Sequence, residues 1–172
     1  MRELRTDITL RAATADDIDF MVDAERDPDA RPYISNSTPD EHRRLIDGDT
    51  HEALVVERGG EAAGFIHRTA VDRDGVVELS RLVIADRGAG IGRAALALAI
   101  DHVFRTTPAH RLWLDVLPHN DRARRAYAAA GFVEEGTLRD AWVGPNGRES
   151  LVILSVLRPE WEARVTAGGA PR

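Results

Sequence analysis

The chain of 172 residues has no cysteine and no lysine, and only 5% of it is aromatic. Without cysteine there can be no disulfide, no thiolate nucleophile and no cysteine-ligated metal. Without lysine all 23 basic residues are arginine. A Walker-type phosphate loop, which needs Gly-Lys-Ser/Thr, is therefore excluded, and self-modification on an amine is confined to the N-terminus. No run reaches the roughly 18 apolar residues of a membrane span. The opening Met1-Arg2-Glu3-Leu4-Arg5-Thr6-Asp7 is polar and lacks the apolar core of a secretory signal. A net charge of −6 speaks against nucleic acid, which needs a concentrated basic face, and would attract cationic amines. The six histidines are scattered, with no two spaced i, i+4 on a helix, so no metal site is expected. A cytoplasmic protein, away from membranes, is the expectation.

What is present fits one globular unit: 43% hydrophobic and 30% charged residues. A single domain is expected over 1–165, with 166–172 as a flexible tail. Ile8 to Arg11 reads as a first strand. Thr14-Ala15-Asp16-Asp17 caps a helix, and Thr38-Pro39-Asp40-Glu41 is a capping box with proline at the first helical position. Ala53–Glu57 and Ala62–Ile66 flank Gly59-Gly60 as a hairpin, and Val76 to Ile84 is the longest strand candidate. The period then changes: Leu96, Ala99, Ile100, Val103 and Phe104 share one helical face. Arg111 to Leu117 is a strand. Ala123, Ala126, Tyr127 and Ala130 form a helical stripe stopped by Gly131, and two strands follow, joined at Gly144-Pro145-Asn146-Gly147. The order β-α-α-β-β-β-α-β-α-β-β predicts an α/β (α+β) domain. Its mixed, mostly antiparallel central sheet has about seven strands and about four flanking helices, with a parallel crossover between Val76 and Leu117.

The informative junction is Ile84-Ala85-Asp86-Arg87-Gly88-Ala89-Gly90-Ile91-Gly92-Arg93. Glycines between a strand and a helix let an anion approach main-chain N–H groups at the positive end of the helix dipole. Arg87 and Arg93 could add charge-assisted contacts to phosphate. A dinucleotide fingerprint is excluded, because Gly88-x-Gly90-x-Gly92 has the wrong spacing and follows a meander. A plain glycine-rich turn that starts a helix is the bland alternative.

Arg87-x-x-Gly90-x-Gly92 resembles the Gln/Arg-x-x-Gly-x-Gly/Ala acetyl-CoA signature of the GNAT superfamily. Asn120-x-x-Ala123-x-x-Ala126-Tyr127-x-x-x-Gly131-Phe132 is similar to the family's second motif. The matched order of elements covers about Ile8 to Trp161, and the closing Leu154 to Trp161 is similar to the ribosomal-protein-alanine N-acetyltransferase branch. The resemblance implies a fold splayed between its fourth and fifth strands and an N-acetyltransferase that moves acetyl from acetyl-CoA to a primary amine. A peptide N-terminus, a polyamine and a small-molecule amine stay open as acceptors. The alternative is a non-catalytic acyl-CoA sensor or regulatory module of the same fold. By family habit the resemblance also implies a homodimer.

Residue by residue, the resemblance implies that the loop Arg87, Gly88, Ala89, Gly90, Ile91, Gly92 and Arg93 holds the pyrophosphate. Leu82, Val83 and Ile84 pair through their backbone with the pantetheine arm, and a β-bulge is expected to open the splay. Asn120 contacts the cofactor arm or caps its helix, and Tyr127 protonates the departing thiolate. Glu78, or a water relay, takes the amine's proton. A phenol suits the acid role because its ordinary pKa near 10 keeps it protonated, and a glutamate in an apolar strand should have a raised pKa. Tyr33, Trp142, Asp16 and Asp17 are candidates for the acceptor side, and His119 is either a relay or loop surface.

Overall fold

The computed structural model describes residues 7–86, 88, 90–145 and 147–168. Arg87, Ala89 and Asn146, the polar opening and the end of the expected tail lie outside the described residues. Eight strands and five α-helices are formed among those described: β1 (Ile8–Ala12), α1 (Ile18–Arg26), α2 (Pro39–Asp47), β2 (His51–Arg58), β3 (Glu61–Thr69), β4 (Val76–Glu78), β5 (Arg81–Ile84), α3 (Ile91–Thr106), β6 (Arg111–Val116), α4 (Asp121–Ala130), β7 (Val133–Gly144), β8 (Gly147–Leu157) and α5 (Arg158–Thr166). The class is the expected α/β mixture. Two details differ: the strand expected over Val76 to Ile84 is two strands, and α5 was not expected.

The strands form two four-stranded sheets, β1-β2-β3-β5 and β4-β6-β8-β7. The first is antiparallel throughout; in the second, β4 runs parallel to β6 and the remaining pairs are antiparallel. The break falls at Leu79-Ser80. Upstream, Glu78 aligns with Trp113, and the Leu79 N–H donates to the Trp113 carbonyl at 2.8 Å. Downstream, Arg81 to Ile84 pair with Gly64 to His67, and Ser80 Oγ donates to the His67 carbonyl at 3.2 Å. Between them the Glu78 N–H is satisfied by Thr69 Oγ1 at 2.9 Å, a side chain, where an unbroken ladder would use backbone. Val77 and Leu79 face the larger core, yet so do Leu82 and Ile84, while Val83 faces the other side. The alternation slips by one residue, which is what an inserted residue does to a strand of period two.

That larger core lies between both sheets and α3, α4 and α5, centred on Ile91, Ala95, Leu96, Leu112, Leu114 and Val156. A smaller core on the opposite face of the first sheet packs α1 and α2 on Val55, Phe65 and Val83. Helix α5 is stapled on by arginines. Arg158 donates to the carbonyls of Phe104 in the last turn of α3 and of Thr107 and Ala109 just past it, and Trp161 Nε1 donates to the Asp101 carboxylate at 2.6 Å. These contacts satisfy carbonyls that a helix end leaves open. No helix among the described residues is long and apolar enough to cross a membrane.

The smaller core is not purely apolar. Glu25 and His42 are fully buried, His67 is 2% exposed, and the two imidazoles stand 5.4 Å apart, centroid to centroid. Burial, with the nearby charges of His42 and Arg81, pushes the His67 imidazole from 6.5 down to about 3. Folded His67 is therefore neutral where the unfolded chain takes up a proton, so acid favours unfolding. Its contribution is complete above about 6.5 and is lost as the pH falls toward 3. Glu25, held at about 2 against 4.5, acts in the same direction below about 4.5. Thermal melting is expected to lose about 2 kcal/mol of stability between pH 6.5 and 5, and His67→Gln should flatten that part of the curve. A variant with the wild-type slope would show that His67 is not the group involved.

Candidate active site

Because β5 stays with the first sheet and β4 with the second, a cleft of about 330 Å³ opens between β5 and the C-terminal half of β6. Its walls include Arg81 to Ile84 of β5, Asp115 and Val116 of β6, Asn120, Ala123, Ala126 and Tyr127 at the start and inner face of α4, and Gly92 and Leu96 of α3. Tyr33, Ile34 and Ser35 from the α1–α2 connection and Trp142 from β7 close the opposite end. The sequence placed Leu82, Val83, Ile84, Gly92, Asn120, Tyr127, Tyr33 and Trp142 at one site, and the structure brings them together.

At the β5–α3 junction, Gly88 and Gly90 have φ of 113° and 75°, a region that L side chains avoid. A Cβ built on either would meet nothing within 4 Å, so the space above the junction is open. Gly90 is the N-cap of α3 and brings no side chain to the first-turn N–H groups. The Ile91 side chain is fully buried in the core, so only its backbone faces the junction. Arg93 is exposed and outside the cleft wall. The arrangement fits an anion held by main-chain donors. Asn120 caps α4, its Oδ1 accepting from the Ala123 N–H at 3.2 Å, while it also lines the cleft.

Tyr127 reaches the cleft from α4, with its ring 5.9 Å from Phe132. Burial, and secondarily the charge of Asp115, push its phenol up to about 12, which keeps it a proton donor across the neutral range. Asp115 is the residue that sequence reasoning missed. It alternates with Trp113 on the face of β6 opposite Leu112 and Leu114, and the surrounding protein pushes its carboxyl pKa up although its side chain stays open to the cleft. Glu78 does not line the cleft. It sits beside Trp113 on the same face, one strand over from Asp115 and offset from it by two residues, ~7 Å of rise at 3.3 Å per residue. Burial and then the Asp115 charge raise its pKa. Neither carboxylate has a hydrogen bond or ion pair among the described residues.

The other acceptor candidates separate. Asp17 is locked on Arg11 at 2.7 and 2.8 Å and held at about 2, and neither it nor Asp16 lines the cleft. His119 lies at the rim, its ring 5.8 Å from Tyr33 and its Nδ1 3.6 Å from Glu149. No group of three metal-ligating side chains is found among the described residues.

The family profile described as Acetyltransferase (GNAT) domain matches residues 7–133. The chain belongs to the GNAT family. Among curated proteins it is similar to the [ribosomal protein uS5]-alanine N-acetyltransferase of Escherichia coli (strain K12), 31% identical over 75 residues, 44% of this chain and 39% of that protein. The match thus spans about two fifths of the relative's length. The Bacillus subtilis (strain 168) protein YdaF, provisionally named a ribosomal N-acetyltransferase, is 28% identical over 141 residues, 81% of this chain and 76% of that one. A spermidine N-acetyltransferase from Vibrio cholerae, solved with CoA and spermine, superposes with a TM-score of 0.80 at 22% identity, covering 90% of this GNAT chain and 98% of the other. RimL, a ribosomal L7/L12 alpha-N-protein acetyltransferase solved with coenzyme A, gives 0.76 at 15% identity, covering 91% and 96%. These two likenesses establish the fold.

Since the charge of Asp115 raises the pKa of Glu78, Asp115→Asn should lower it. A side-chain carboxyl NMR titration of Glu78 in the two proteins checks this; superimposable titrations would show the two groups to be independent.

Proposed function

We propose that this GNAT chain is an N-acetyltransferase that moves the acetyl group of acetyl-CoA to a primary amine. The observation that carries the reading is the cleft itself. An unpaired β5 edge, a glycine junction open to an anion and a phenol kept protonated all meet in one gap. In this reading the main-chain N–H groups of Gly90, Gly92 and Arg93 hold the pyrophosphate, while that of Ile91 closes the turn on the Gly88 carbonyl at 3.1 Å, and the free edge of Leu82 to Ile84 takes the pantetheine amides as an added strand would. Acetyl-CoA supplies a thioester whose carbonyl accepts the amine's lone pair.

The chain's own part is to place groups and move protons. An alkylamine is mostly protonated near neutral pH and must lose a proton before it can react. Asp115 and Glu78, two carboxylates with raised pKa and no partner among the described residues, suit both attraction of the cation and removal of the proton. Asp115, which lines the cleft, is the nearer of the two to the reacting atoms, and Glu78 supports it through the shared field. Tyr127 delivers a proton to the departing sulfur. The aromatic end wall of Tyr33 and Trp142 suits the body of an amine; peptide N-termini and polyamines both remain within this class.

Tyr127→Phe should lower kcat by about 10²-fold or more while acetyl-CoA affinity by calorimetry changes less than about threefold. Wild-type turnover in that variant would remove the phenol from the chemistry. Gly90→Val should weaken acetyl-CoA binding, since the new side chain would fill the anion's space at a positive φ. Unchanged affinity would refute the cradle. A wild-type protein that binds acetyl-CoA but acetylates nothing in a broad amine panel would favour the sensor reading instead.

A further inference from the structure

The connection between α1 and α2, residues 27–38, forms the far wall of the cleft through Tyr33, Ile34 and Ser35, yet it buries little. Tyr33 is 38% exposed, and only Ile34 packs on the smaller core. Apolar burial alone gives such a segment a shallow hold. From β5 a guanidinium reaches it. Arg81, the first residue of β5, donates to the Ser35 carbonyl at 3.0 Å, to Ser37 Oγ at 2.9 Å and to the carboxylate of Glu25. Ser37 in turn donates to Glu25 through its backbone N–H and its hydroxyl, the latter at 3.3 Å.

Glu25 is fully buried on α1. Burial alone would push its carboxyl up, but His42, the Ser37 amide and Arg81 outweigh that and hold it at about 2. Of these, His42 is the loosest. Its Nε2 stands 3.5 Å from Glu25, and neither ring nitrogen makes a hydrogen bond. The charge is therefore held chiefly by Ser37 and Arg81. The same arginine opens the strand on which the cofactor arm would lie. Leu79 is bonded toward β6, and two residues later Arg81 is bonded toward α1.

We infer that Arg81, bonded to Glu25, is a positioning residue of this enzyme. Its guanidinium ties the amine-side wall, residues 27–38, to the strand that presents the thioester arm, and so sets the width of the cleft where the amine enters. The role rests on the acetyl-transfer reading above. It differs from a structural staple in what it moves: loosening the tie displaces the amine's wall while the glycine junction, at the other end of β5, keeps its shape.

The test compares wild type with Arg81→Lys, which keeps the charge but replaces the planar guanidinium, whose Nη1 meets all three acceptors, with a shorter, freely rotating ammonium. It also takes Glu25→Gln and the gentler Ser37→Ala, which leaves both charges in place. Amide hydrogen exchange of the unliganded protein is expected to rise about tenfold over 27–38 in Arg81→Lys, and less in Ser37→Ala. The amine KM should rise about tenfold with it, while acetyl-CoA affinity by calorimetry stays within about threefold. Wild-type exchange and wild-type amine KM in a folded variant would overturn the inference. So would a uniform rise in exchange across the molecule with equal losses toward amine and acetyl-CoA, the signature of a staple. A wild-type chain inert toward every amine would fell the functional reading itself, whereas unaltered variants of an active enzyme fell only the role of Arg81.

Discussion

A strand has two edges, and the architecture of this protein follows from dividing one strand between two sheets. Val76 to Glu78 give an edge to β6, Arg81 to Ile84 give theirs to β3, and between Leu79 and Ser80 the ladder changes partners. Unpaired main-chain groups in a protein interior are costly, so a fold that leaves β5 and the end of β6 facing each other without bonding needs something between them. An extended chain of amides offers the right spacing of donors and acceptors. The wedge is thus the structural peculiarity of the molecule, and it is where the proposed cosubstrate, long and thin, would lie.

The charges divide along the same line. Asp17 on Arg11, Glu135 on Arg111 and Glu25 on Arg81 are paired carboxylates whose pKa values are held near 2, and each fixes one piece of chain to another. Glu78 and Asp115 have no partner among the described residues and raised pKa values, and the charge of Asp115 reaches the Tyr127 phenol. Perturbed groups without partners gather where proton transfer is needed. The proposed acetyl transfer draws on the second set and the first is structural, although Arg81 brings the Glu25 pair to the cleft wall.

Much of this was legible in the sequence. Helix starts at Thr38-Pro39 and Asn120, the turn at Gly59-Gly60 and the strand-to-helix glycine junction are local signals, and local chemistry decides them. The split was legible too, in a form easily passed over: Val77-x-Leu79 and Leu82-x-Ile84 each alternate, but out of phase with one another. Helix α5 carried proline and Glu160 in its first turn, and the Glu160 carboxylate accepts from the Leu157 N–H at 2.8 Å. Asp115 lies on the wet side of a half-exposed strand; that this side faces a cleft depends on where β5 goes. The meeting of Glu25, His42, His67 and Arg81 was beyond reach, since four elements far apart in the chain bring them together.

That meeting explains why an ion pair, and not a larger apolar contact, holds residues 27–38, the wall assigned above to the amine. Replacing Arg81 and Glu25 by well-packed aliphatic residues could match or exceed them in stability, because a buried pair recovers little beyond its own desolvation. Aliphatic contacts, however, fix a distance only loosely and gain from any closer approach, so a wall held that way would collapse onto Leu82 and narrow the cleft. A guanidinium bonded to a carboxylate, a carbonyl and a hydroxyl has directions and lengths to satisfy. It resists closing as well as opening. Where a substrate must pass between two parted strands, geometry of that kind matters more than the free energy of the contact.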